Sequence, residues 1–319
     1  MGSITDVAGV RVGHVTLVEE EPVVRTGVTC VLPHVRDLLA EPVPAAVHVV
    51  NGYGKPVGLS QVGELGELEA PVLLTGTFGV GAAHEGALRE LLARHPDLGR
   101  PATVNPVVLE CNDGRLTDLR TLAVRPRHAV AAVTAARAAD PGHRVEQGAV
   151  GAGAGMVAFG WKGGIGTSST PVLDPDGRGR RTLGALVLTN MGRAQDLVLH
   201  GRRVGGPGTG GGPDPIDGSV VVLLATDAPL DSRQLGRLAR RAQNGLARTG
   251  VPTAHGSGEF VLAWSTADPT GPARRDGPWL SAWFVAVANV VEEAVLASLR
   301  SAVTTSGRDG VRAYRCPHL

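Results

Sequence analysis

Aromatic residues make up only 3% of this 319-residue chain, so its core must be closed by Val, Leu, Ala and close backbone contact rather than by large rings. Charge of one sign is equally scarce. The 31 basic and 30 acidic residues leave a net charge of +1, which supplies no field to concentrate a polyanion and no basic stripe, so nucleic acid is not expected as a partner. The cysteines Cys30, Cys111 and Cys316 are odd in number and far apart, which fits a reducing compartment better than a disulfide scaffold. The N-terminus MGSITDVAGVRVGHV lacks the basic and apolar regions of a secretion signal, and Asp6 stands where a myristoylation signal needs Ser or Thr, so a cytoplasmic location is expected. The longest apolar stretch, Ala282 to Val291, contains Asn289 and amounts to half a membrane span, and no membrane is expected as a partner.

Metal and cofactor signals are also missing. The ten histidines form no His-x-His or His-x-x-x-His pair, and His84-Glu85 is not followed by a second histidine three residues on, so no metal is expected. GAVGAGAGM, Gly148 to Met156, looks superficially like a dinucleotide loop. Its glycines lack the required third offset, so no organic cofactor is expected. The G-x-S-x-G elbow of the α/β-hydrolases is not completed near Ser257.

What the chain does have is apolar residues, at 43%, and glycine, at 45 residues or about twice the usual ~7% share. The glycines carry no triplet period, which excludes collagen, and the apolar content excludes gross disorder. Short β-branched runs end on turn residues: Val47 to Val50, Val72 to Thr75, Val107 to Glu110 and Ala185 to Thr189 are predicted strands. Helical spacing predicts helices over Ala82 to Leu92, Arg127 to Ala139, Ser232 to Arg248 and about Ala282 to Leu299. Strands mixed with helices throughout indicate a layered α/β domain.

Residues 205 to 218, GGPGTGGGPDPIDG, hold seven glycines and three prolines and read as an exposed flexible loop. The most strand-like run of the chain, Ser219 to Leu230, follows with no transition, and Ser219 stands at the joint. It reads in two ways. One is a strand-start residue. The other is a residue exposed by a cut between Gly218 and Ser219, which would set a free α-amine beside the hydroxyl. An amine with a reference pKa of about 7.7–8.0 is a built-in proton acceptor for a weak nucleophile. In HGSGEF, Ser257 and Glu259 are two apart, so on an extended chain they share a face, where a carboxylate can orient a hydroxyl that relays a proton; a solvated glycine turn is the other reading. Asn190 ends the run LVLTN and is either a turn former or an amide donor for an oxyanion.

Taken together, ITDVAGVRVGHVT, TGVTCVLP, VVLECNDGRLTD, GAGAGMVAFGWKGGIGTSS, LVLTN and DGSVVVLLATDAPL resemble the self-processing aminopeptidases of the L-aminopeptidase/D-amidase-esterase type, which include β-peptidyl aminopeptidases. The likeness spans essentially the whole chain. Its specific parts are the last stretch and the 38-residue gap between Ser219 and Ser257. It implies one four-layer αββα sandwich, similar in architecture to N-terminal-nucleophile hydrolases, cut into residues 1–218 and 219–319. It also implies Ser219 as nucleophile, Asn190 on the oxyanion, and Ser257 with Glu259 managing the proton. Glu110 would receive the substrate's ammonium, the substrate being a small peptide or aminoacyl amide or ester. A homo-oligomer, a tetramer of processed heterodimers, is implied as well. Cys111 and Arg115 stand where the family pattern has Thr and an aromatic, Arg115 is expected near Glu110, and Tyr53 is the candidate for a family tyrosine near the nucleophile. An acyltransferase of the ornithine acetyltransferase type and a non-catalytic relative of the fold are the alternatives.

Overall fold

A computed structural model describes residues 2–100, 102–173, 179–206, 218–268 and 275–319. The predicted loop over 205–218 lies mostly outside the described residues.

A four-stranded sheet is built from β1 (Arg11–Glu19), β2 (Val24–Leu32), β5 (Val72–Gly76) and β6 (Val107–Cys111), in that spatial order. A six-stranded sheet takes β3 (Val43–Gly52), β4 (Glu67–Leu68), β7 (Gly164–Leu173), β8 (Arg180–Asn190), β9 (Ser219–Thr226) and β10 (Gly258–Ser265), ordered β4-β3-β10-β9-β8-β7. The two sheets stack face to face. Between them lie Val31, Leu74, Leu109, Leu186, Leu188, Val221, Leu223, Phe260 and Leu262. A short helix, α1 (Leu59–Leu65), links β3 to β4, and on the outer face of the four-stranded sheet α2 (Val80–Arg94) and α3 (Pro126–Ala138) pack through Ala83, Ala87, Ala129, Ala132 and Val133. The outer face of the six-stranded sheet carries α4 (Ser232–Ala239), α5 (Ala242–Arg248) and α6 (Leu280–Ser301). The layers therefore run αββα, as expected.

The position of β9 explains its sequence. Val221 and Leu223 face the other sheet, while Val220, Val222 and Leu224 face the helices, so a strand buried on both sides has no polar alternation to show. Its first residue is held from both sides: Ser219 lies opposite Asn190 in the antiparallel β8–β9 pair and opposite Gly258 in the parallel β9–β10 pair.

Three expectations are corrected. The helix predicted over Ser232 to Arg248 is two helices broken at Arg240 and Arg241; Leu235, Leu238, Ala242 and Leu246 stay buried across the break, which turns α5 onto α6. The C-terminal helix is longer than expected. With 22 residues and a mean hydropathy of 1.6 in its most apolar window it passes for a bilayer span by length and composition, yet 61% of that window is buried within the protein. Finally, β1, β2 and β7 were not among the predicted strands. In β7 the cause is packing: a side chain at Gly166 would collide with the Ala294 carbonyl of α6, so the strand is written in small residues.

Candidate active site

Four chain segments meet where β8 ends, β9 and β10 begin, and β6 runs out. They enclose a cavity of about 540 Å³ whose wall includes Glu110, Asn112, Asn190, Gly218 and Ser219. Ser219 is 5% exposed and its side chain belongs to the face between the sheets. Its Oγ accepts two hydrogen bonds, from the Asn112 backbone N–H and from Asn190 Nδ2, both at 3.3 Å.

The orientation of the Asn190 amide is determined by its neighbours. Oδ1 accepts from the Val157 N–H at 3.0 Å, and the carbonyl of Asn112, an acceptor only, lies 3.0 Å from Nδ2. Reversing the amide would break both bonds, so the NH₂ must face Ser219. Val157 is itself held from below. Lys162, fully buried, donates from Nζ to the carbonyls of Gly153, Met156 and Gly163 at 2.8–3.0 Å. Burial pulls its pKa down to about 7, while three carbonyl acceptors are served only by the three protons of the ammonium form.

Gly218 precedes the nucleophile candidate, and its carbonyl accepts from the Gly258 N–H at 3.1 Å. A sheet-ladder bond thus polarises the carbonyl one residue before Ser219.

Glu110, 4% exposed, pairs in register with Thr75 on β5. Its Oε1 accepts from the Lys55 backbone N–H at 3.0 Å and lies 3.9 Å from Lys55 Nζ. The cation paired with Glu110 is Lys55; Arg115 lines the same cavity without an ion pair to Glu110. Tyr53 also lines the cavity but is 67% exposed, with its ring 6.4 Å from that of His255.

Ser257 and Glu259 form a separate buried pair. Ser257 Oγ donates to Glu259 Oε1 at 2.8 Å rather than to Ser219, and Thr253 Oγ1 donates to Oε2 at 3.0 Å. Burial raises the Glu259 pKa against these two hydrogen bonds, which lower it. Glu259 shares the helix-facing side of β10 with Val261, so the pair stands behind the sheet while Gly258 between them lies next to Ser219. The structure thus gathers Ser219, Asn190, Gly218 and Glu110 on one cavity, and places Ser257 and Glu259 one strand away.

Cys111, at the position noted as a departure, is fully buried behind Ser219, and burial raises its thiol pKa well above the ordinary range. Asp113, in the next turn, is 1% exposed; its Oδ1 has no hydrogen-bond partner, and burial pushes its pKa up to about 6.

Sequence reasoning missed the two main-chain donors, Asn112 and Gly258, together with Lys55 and Lys162. Backbone donors leave no mark in a sequence. Lys162 did leave one: a lone charge inside the apolar, glycine-rich run MVAFGWKGGIG.

The family model described as peptidase family S58 matches residues 2–313. The beta-peptidyl aminopeptidase BapA of Sphingosinicella xenopeptidilytica is 36% identical over 349 positions, which cover 100% of this chain and 85% of that protein. Among solved structures, the PH0078 protein from Pyrococcus horikoshii OT3 superposes with a TM-score of 0.90 at 44% identity, covering 99% of this chain and 92% of that one. The L-aminopeptidase D-Ala-esterase/amidase from Ochrobactrum anthropi, described as a prototype for the serine aminopeptidases and a variant of the Ntn hydrolase fold, gives 0.89 at 34% identity, covering 99% and 91%.

Proposed function

Because the chain belongs to peptidase family S58 and is a serine-type aminopeptidase/amidase with an N-terminal nucleophile, we propose that Ser219 is that nucleophile and that a break of the Gly218–Ser219 bond exposes it. One observation carries the assignment: Ser219 Oγ opens on the cavity with two N–H donors aimed at it, and the carbonyl of Gly218 is already held by a third.

The first reaction is internal. Ser219 Oγ attacks the Gly218 carbonyl carbon, the C–N bond breaks, and the hydroxyl proton passes to the departing nitrogen, leaving an ester between Gly218 and Oγ. Water hydrolyses the ester to give residues 1–218 with a terminal carboxylate and 219–319 with a free amine. Both pieces stay in one body, because β9 remains paired with β8 and β10.

Turnover repeats the attack on a substrate. The Ser219 amine takes the hydroxyl proton, Oγ adds to the acyl carbon, and Asn190 with the Asn112 N–H stabilises the oxyanion; one such donor is worth about 3–4 kcal/mol. The leaving amine departs with the proton, and water resolves the acyl-enzyme. Ser257, oriented by Glu259 and adjacent in the chain to Gly258, the strand partner of Ser219, tunes the basicity of the Ser219 nitrogen. Glu110 holds the substrate's ammonium, which restricts the enzyme to free N-termini. The relatives' names point to aminoacyl amides, esters and short peptides, β-linked ones included. The proposal extends to a cytoplasmic, homo-oligomeric enzyme; Cys30, Cys111 and Cys316, all buried free thiols, suit a reducing setting.

Mass spectrometry of purified protein tests the break: two fragments are expected, the shorter beginning at Ser219. Ser219→Ala should stay whole and show no turnover of an aminoacyl p-nitroanilide. A variant that still splits at this bond, or active enzyme found as a single chain, defeats the assignment.

A further inference from the structure

Among its described lining residues, the cavity carries one carboxylate, Glu110, against three cations, Lys55, Arg115 and Arg308. Lys55 is accounted for by Glu110. The two arginines take no part in the chemistry above.

Both arginines sit at one turn, Arg115 as part of it and Arg308 docked onto it from the C-terminal segment. Arg308 Nε donates to the carbonyl of Gly114 at 2.8 Å, which fixes the guanidinium and leaves its two Nη groups for another acceptor. The acid nearest to it, Asp309, is 3.7 Å away and 76% exposed, a pairing of little strength in water. Arg115 follows Gly114 directly and is half-buried on the same wall. Along this turn, Glu110 comes before Asn112, whose N–H touches Ser219 Oγ, and Arg115 comes after it. Ser219 thus contacts this strand end and turn at a residue that lies, along the chain, between Glu110 and Arg115.

That order matches a substrate with charges of opposite sign on either side of the bond to be cut. A guanidinium presents a planar fork that fits a carboxylate in bidentate fashion, and a fork already anchored at Nε loses little freedom on binding. The termini of a dipeptide lie within about 7 Å of each other and flank a single peptide bond. Resting on the aminopeptidase reading, we infer that Arg115 and Arg308 form a carboxylate subsite on the leaving-group side, so that the substrate class is short peptides with a free C-terminus, dipeptides foremost.

The test compares kcat/KM for a free dipeptide, the same dipeptide as its C-terminal amide, and the p-nitroanilide of the same first residue. The free dipeptide is expected to exceed its amide by roughly ten-fold or more, with the ratio shrinking in 0.5 M salt as the exposed part of the attraction is screened. In the double variant Arg115→Gln/Arg308→Gln the ratio should fall towards one, and Arg308→Lys should keep part of it. Equal kcat/KM for dipeptide and amide in the unmodified enzyme overturns the subsite, and that comparison stands even if the double variant does not fold. A ratio untouched by the double variant also overturns it. Failure to hydrolyse all three substrates instead sinks the aminopeptidase reading, so the two failures are told apart.

Discussion

Two buried polar centres sit on either side of the Val157–Asn190 hydrogen bond, and they are built on opposite plans. Around Lys162 every donor has a partner: three protons meet three carbonyls in a site closed to water. Around Ser219 the pairing is incomplete. The two hydrogen bonds to Oγ are long at 3.3 Å, and Thr77 Oγ1, on the same cavity wall, has no partner. Saturated networks hold geometry, whereas groups left with spare capacity beside a cavity are free to bind something else. The closed centre fixes the 153–156 backbone, and through Val157 it aims the amide that the open centre uses.

The sharpest way to break this contrast is at its closed end. Lys162→Met should destabilise the protein by about 3–5 kcal/mol, since it leaves three buried carbonyls without donors. Urea melts of the variant would check this, and an unchanged midpoint would mean the cradle holds nothing. Asp113, buried in the turn behind the open centre, gives a pH signature. Its folded pKa of about 6 lies above the ordinary 3.8, so its contribution to stability is complete below about pH 4 and is lost as pH rises through 6. The size of that loss is about 2–3 kcal/mol. Asp113→Asn should flatten stability across this window, and melts at pH 4 and pH 7.5 would show whether it does.

Removing a donor from the open centre costs rate and not fold. Asn190→Ala should lower kcat by roughly 10²-fold while melting near the parent; an unchanged kcat would take Asn190 off the oxyanion. The smallest expected effect lies in the pair behind the sheet. Because burial raises the Glu259 pKa, the acid limb of the kcat profile should sit above the ordinary carboxylate range, and Glu259→Gln should remove that limb while lowering kcat. A limb that survives the substitution belongs to another group.

Side chains at strand ends were the most legible part of the site. Ser219, Asn190 and Glu110 each close or open a run of β-branched residues, so the ends of β9, β8 and β6 could be read directly and the cavity follows from their convergence. The Ser257–Glu259 pair was legible from its two-residue spacing, and the hydrogen bond between them bears that spacing out. That they stand behind the sheet was not, because the face a strand presents is set by its neighbours in space. Arg115 was expected near Glu110 and shares its cavity, but the ion pair of Glu110 is with Lys55, which arrives from a loop far away in sequence and could not be read from spacing. In the fold, β9 was evident from its unbroken apolar run, whereas β7 was hidden because the approach of α6 demands glycine and serine in place of the usual strand residues.

The bond between the Gly258 N–H and the Gly218 carbonyl has one more consequence. As long as the chain is whole, the Gly218 carbonyl is tied into the sheet directly beside the hydroxyl-bearing residue, and Gly218 itself lines the cavity that a substrate has to enter. Under the proposed cleavage the uncut chain would be a zymogen, and the break that arms the serine would at the same time free the Gly218 end from the mouth of the cavity.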